Sequence, residues 1–133
     1  MTGEQALDPI RDWVRAAAQG AAAKGGSDTI VLEVAAVLAI TDAFVITHGT
    51  NRRQVLTIAE EVEAQVKAAG GPGPLRVEGI GEAQWVLIDF GDFVVHVFLE
   101  EVRRYYDLER LCADAPRWSW DDDVPADRRS RVL

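Results

Sequence analysis

The sequence predicts an α/β (α+β) fold built on a mixed five-stranded sheet flanked by helices. Two segments carry apolar residues at helical spacing: Leu7, Ile10, Val14, Ala17 and Ala21, then Val55, Ile58, Ala59, Val62 and Val66. Between and after them lie short runs rich in Val, Ile and Phe, the composition of strands. Two of these runs, residues 85–90 and 93–99, flank Gly91-Asp92, and Gly at the first turn position suits a two-residue type II′ hairpin.

The elements follow in order. Asp8-Pro9 marks a helix start, with Asp as cap and Pro in the first turn, and Gly25-Gly26 ends that helix. Residues 28–34 form a first strand, residues 35–41 a connection and residues 43–48 a second strand. Asn51 and Gln54 form a capping pair for the second helix. The run Gly70-Gly71-Pro72-Gly73-Pro74 breaks it. Residues 75–78 make a short third strand, the hairpin supplies two more, and residues 100–111 read as a closing helix. The succession α-β-β-α-β-β-β-α implies a crossover from the second strand through the second helix to the third. The domain spans 1–116, and 117–133 reads as a polar, loosely attached tail whose dense aromatic feature is Trp118 with Trp120.

A chain of 133 residues suits one domain with a sizeable core. The net charge of −8 disfavours direct nucleic-acid binding and suits a basic protein partner, although acidity also serves solubility. The single cysteine, Cys112, excludes an internal disulfide and leaves no zinc pattern. The start of the chain lacks a signal-peptide core, and no apolar run reaches membrane-spanning length, so the expected location is cytoplasmic.

The turn fixes the hairpin register. Phe90 faces Phe93, Ile88 faces Val95 and Val86 faces Val97, giving one wholly apolar side that belongs to the core. On the other side Asp89 faces Val94, Leu87 faces His96 and Trp85 faces Phe98. That mixed side is either covered by helices or forms a docking patch with Trp85 as its anchor. From Val77 to Val102 there is no Lys or Arg, while Glu78, Glu82, Asp89, Asp92, Glu100 and Glu101 are present; such a cluster would attract a basic partner.

Catalytic patterns fit poorly. Asp89 and Asp92 could make a nucleotidyltransferase-like carboxylate pair, but position i+2 from Asp89 is Gly91, and Asp92 lies in the turn. His48 and His96 have no metal-ligand spacing, and Gly49-Thr50-Asn51-Arg52-Arg53 lacks the Walker pattern. Cys112 reads as unreactive, Asp121-Asp122-Asp123 as a solvated run, and no Ser/Thr has a His/Asp relay. The expectation is a non-enzyme with no cofactor and no metal.

The segment Thr41-Asp42-Ala43-Phe44-Val45-Ile46-Thr47-His48-Gly49-Thr50-Asn51-Arg52-Arg53-Gln54-Val55 resembles a signature of the ribosomal silencing factor family, RsfS or Iojap. A second block is similar too: Glu78-Gly79, then Trp85-Val86-Leu87-Ile88-Asp89-Phe90-Gly91-Asp92-Phe93-Val94-Val95-His96-Val97-Phe98. Glu101, Arg103, Tyr105-Tyr106, Leu108-Glu109 and Leu111 continue the likeness, which runs from about Asp8 to Asp114. Cys112 stands where Trp is frequent, Asn51 where Ser is usual, and the tail after Pro116 has no evident counterpart. The resemblance implies a nucleotidyltransferase-like fold without catalytic carboxylates. It also implies a translation repressor that binds the large ribosomal subunit through its L-fourteen protein, blocks small-subunit joining and is a homodimer when free. On that basis Trp85 is the expected anchor, with Glu78, Asp89, Asp92, His96 and Glu100 as polar contacts. Tyr105 and Tyr106 are candidates for the core, the contact or the dimer interface, roles the sequence does not divide.

Overall fold

The computed structural model describes residues 8–121. After a 3-10 turn at Asp8–Ile10, the elements are α1 (Arg11–Ala23), β1 (Ser27–Glu33), β2 (Ala43–Gly49), α2 (Arg52–Ala68), β3 (Arg76–Glu78), β4 (Trp85–Asp89), β5 (Phe93–Leu99), α3 (Glu100–Tyr106), α4 (Leu108–Leu111) and β6 (Arg117–Trp118). They make one six-stranded sheet in the order β3-β4-β5-β2-β1-β6. Among the described residues, β2 and β5 pair in parallel and the other four pairings are antiparallel.

The central position of β2 and β5 explains their composition. All seven residues of β2 are buried, as are the first six of β5, because both faces of these strands are covered to some depth. One face carries Val31, Ala43, Val45, Val86, Ile88, Phe93, Val95 and Val97, packed under α1 and α2. The α2 stripe Val55, Ile58, Ala59, Val62 and Val66 is buried as its spacing predicts. The Asn51 side chain accepts from the Gln54 amide at 2.8 Å, while Gln54 Oε1 accepts from the Thr50 amide at 2.7 Å.

The hairpin register is the one the turn predicts, from Trp85 opposite Phe98 to Asp89 opposite Val94. Phe90 donates its amide to the Phe93 carbonyl at 2.9 Å, and Gly91 takes φ +91°, which a side chain would resist.

Two expectations change. The closing helix is broken: Asp107 adopts a left-handed conformation (φ 49°, ψ 54°) between α3 and α4. The sheet has a sixth strand, because residues 117–121 lie against β1. Leu32 pairs with Arg117 and Val31 with Trp118, and the Glu33 amide donates to the Pro116 carbonyl at 2.8 Å. Trp118 and Trp120 pack on the helix-covered core. Arg11 and Arg15 approach the Trp118 ring at 5.1 and 5.3 Å, and the Trp120 indole donates to the Thr29 carbonyl at 3.0 Å. Polar composition hid this attachment, since two indoles supply the apolar area that the rest of the segment lacks. Leu7, Asp122-Asp123 and Arg128-Arg129 lie outside the described residues.

Candidate functional site

The second face of the sheet is covered unevenly. Over β1 and β2, a small core gathers Leu32, Val34, Phe44, Ile46, Cys112 and Ala115, brought there by α4 and the chain after it. Burial pushes the Cys112 thiol pKa up, so this sulfur packs as an apolar group. Toward β4 the cover thins to Tyr106 at the end of α3. There Trp85 and Leu87 are half-buried, and Ile40, Leu75 and Tyr106 stand exposed around them.

Trp85 is held from three sides. Its ring centroid lies 4.8 Å from Phe98 beneath and 4.8 Å from Tyr106 at its edge. Its Nε1 donates to Nδ1 of His96 at 3.1 Å. The indole polar group is thus satisfied within the chain, and the exposed remainder is an apolar ring surface. Gly79 lies directly against the Trp85 backbone: a Cβ there would collide with the Trp85 carbonyl oxygen. Beside it a depression of about 300 Å³ is lined by Glu78, Gly79, Trp85 and Leu87. Leu87 also borders a groove of about 490 Å³ between Ile40 and Leu75, floored by Phe44, Val94 and His96. The two share Leu87, and Thr41, Arg76 and Asp89 add polar groups to the lining of the groove.

The predicted polar contacts do not form one set. His96 is 4% exposed; burial lowers its pKa to about 4, so the ring is neutral at physiological pH. It supports Trp85 from within. Asp89 accepts from the Gly91 amide at 2.8 Å through Oδ1 and from Arg76 at 3.2 Å through Oδ2. Both oxygens of the supposed catalytic carboxylate are therefore engaged. Arg76 also pairs with Glu78 at 3.2 Å. Glu100 pairs with Arg104 at 2.6 Å and lies 3.8 Å from His48, at the opposite end of β5 from the hairpin turn. Arginines just outside the basic-free window thus partly neutralise three of its six acids. Asp92, Glu82 and Glu101 remain exposed. No sequence signal marks Ile40 or Leu75: Ile40 lies in the indistinct connection at 35–41, and Leu75 at the end of a short strand-like run. Among the described residues no cluster of His, Cys, Asp and Glu is placed to hold a metal ion, and no helix is long and apolar enough to cross a membrane.

The family model described as "Ribosomal silencing factor during starvation" matches residues 8–132. The chain belongs to this family. The match extends through the tail, which the sequence reading had left without a counterpart. The ribosomal silencing factor RsfS of Bacillus subtilis is 42% identical over 93 residues, covering 70% of this chain and 78% of that protein. A crystal structure of a Chromobacterium violaceum protein superposes with a TM-score of 0.73 at 34% identity, covering 77% of this chain and 84% of that one. The mouse protein named mitochondrial assembly of ribosomal large subunit protein 1 is 32% identical over 87 residues, 63% of this chain but 38% of that longer protein.

Proposed function

We infer that this silencing factor docks through the open sheet face around Trp85 onto the large ribosomal subunit, at its L-fourteen protein. Occupying that surface excludes the small subunit and represses translation. The observation that carries the reading is the incomplete cover of Trp85 and Leu87, with Ile40 and Leu75 exposed in the groove that Leu87 borders. Contiguous exposed apolar groups beside a half-buried tryptophan are the pattern of a binding hot spot. Family membership and the large-subunit assembly role in the mouse relative's name support a ribosomal partner. The net charge of −8 favours a basic ribosomal protein over rRNA as the direct contact. In the free state we assign a homodimer, to which Tyr105, 81% exposed, and Leu111, 76% exposed, offer apolar area.

The test is co-sedimentation with isolated large subunits. Trp85→Ala should keep the circular dichroism spectrum of the fold and lose subunit binding. A folded Trp85→Ala chain that binds as well as the parent would move the interface elsewhere. Sedimentation of the free chain at monomer mass would remove the dimer.

A further inference from the structure

The bend between α3 and α4 has no glycine to ease it. Asp107 takes the left-handed conformation without a side-chain capping bond, an arrangement side chains resist unless surrounding contacts hold it. One side-chain pair spans the bend. Arg103, 6% exposed, donates through Nε to Glu109 Oε1 at 3.4 Å and through Nη2 to Glu109 Oε2 at 3.2 Å. In a continuous helix, residues six apart would point about 120° from one another and lie about 9 Å apart along the axis. The bend is what lets this two-pronged contact close, and the contact in turn favours the bend.

The same guanidinium anchors the arm to the sheet. Arg103 Nη1 donates to the Ser27 carbonyl at 3.2 Å and to His48 Nδ1 at 2.9 Å, joining the ends of β1 and β2. Arginine only donates, so His48 must be neutral with its proton on Nε2, which faces Glu100 at 3.8 Å. Tyr106, immediately before the bend and one turn from Arg103, is the residue that walls the Trp85 indole at 4.8 Å.

We propose that the Arg103–Glu109 pair is a latch: it fixes the bend at Asp107 and so sets Tyr106 against Trp85, making Arg103 and Glu109 positioning residues for the docking surface. The functional part of this inference rests on the docking reading above; the geometric part does not. If the latch opens, the bend at Asp107 loosens, Tyr106 shifts away from the indole, and the docking face loses one wall. Binding should fall even though neither latch residue touches the partner.

Glu109→Gln removes the charged acceptor at nearly constant shape. It should retain the sheet by circular dichroism, lose the nuclear Overhauser contacts between the Tyr106 and Trp85 rings, and weaken large-subunit binding about tenfold. Tyr106→Ala should weaken binding by a similar factor, and adding it to Glu109→Gln should cost little more. Because glycine accepts left-handed backbone freely, Asp107→Gly in the Glu109→Gln chain should restore both the ring contacts and the binding. Should Glu109→Gln fail to fold, the same readouts on Glu109→Asp, which keeps the charge but shortens its reach and leaves the Arg103 bonds to Ser27 and His48 in place, decide the matter. Unchanged ring contacts in the folded variant overturn the latch. Lost ring contacts with full binding, where Trp85→Ala abolishes binding, overturn its link to docking. Full binding by Trp85→Ala as well overturns the docking reading and leaves the latch to stand or fall on the ring contacts.

Discussion

Trp85 and His96, on neighbouring strands and diagonally placed, share a hydrogen bond of 3.1 Å in which the indole Nε1 donates and the imidazole Nδ1 accepts. The bond fixes the imidazole tautomer: neutral His96 must carry its proton on Nε2. That atom is buried with no hydrogen-bond partner among the described residues. Nitrogen-15 NMR of the labelled side chain should show the Nε2-protonated neutral ring, with no titration above about pH 5. A ring protonated at Nδ1 near neutral pH would contradict the geometry.

The same burial makes stability depend on pH. The folded-state pKa of His96 is lowered from 6.5 to about 4, so the unfolded chain binds more protons between these values. Stability should therefore be fully present above pH 6.5 and fall as pH drops toward 4, by roughly 3 kcal/mol from this residue. His48 is shifted down as well, first by burial and then by Arg103, and acts in the same direction. Urea midpoints across pH 4–7 check this, and His96→Phe should show a distinctly flatter profile.

Ile40 is 83% exposed and Leu75 74% exposed, yet they stand on the two sides of one groove. Truncating residues so exposed leaves folding stability within about 0.5 kcal/mol. If the groove meets the ribosomal partner, Ile40→Ser with Leu75→Ser weakens large-subunit binding about tenfold without moving the thermal midpoint. Binding at parental strength would confine the interface to the neighbourhood of Trp85.

Gly79 combines φ +91° with backbone crowding against Trp85. Gly79→Ala requires the β3–β4 connection to shift, because the obstructing atom is a carbonyl oxygen with little freedom to yield. The expected cost is about 2 kcal/mol or more in urea denaturation. Subunit binding by the folded fraction should weaken too, as the displaced backbone carries Trp85 with it.

Residues 117–121 cap the β1 edge of the sheet. Cutting the chain after Pro116 removes β6 and both indoles and leaves the outer edge of β1 open. Trp118→Ala alone should cost about 2 kcal/mol, since a half-buried indole and its arginine contacts are lost together. The truncated chain should be less stable than that variant and more prone to associate, read by urea midpoint and light scattering. Equal stability of full and truncated chains would mean the strand pairing contributes nothing.

The hairpin was legible residue by residue, because a two-residue turn and a period of two leave one register in which the apolar set shares a face. The α2 stripe was equally clear, since Val55, Ile58, Ala59, Val62 and Val66 recur over four turns. The break at Asp107 was not: residues 100–111 contain neither Gly nor Pro, and the buried Arg103 beside the bend finds its partners in Ser27, His48 and Glu109. Trp85 was identifiable as a candidate, but its supposed polar companions were not separable. His96 is an internal support and Asp89 is held by Arg76, distinctions that depend on side-chain direction and neighbours from other strands.

The order of residues determined the family, the amphipathic helices and the alternation of the strands, because each of these is written in local spacing. Tertiary structure decided which half of the second sheet face stays open, how the chain bends at Asp107 and where the tail attaches. Those outcomes arise from contacts between segments far apart in sequence, such as Arg103 with Ser27 and Trp120 with Thr29, whose partners no local pattern specifies.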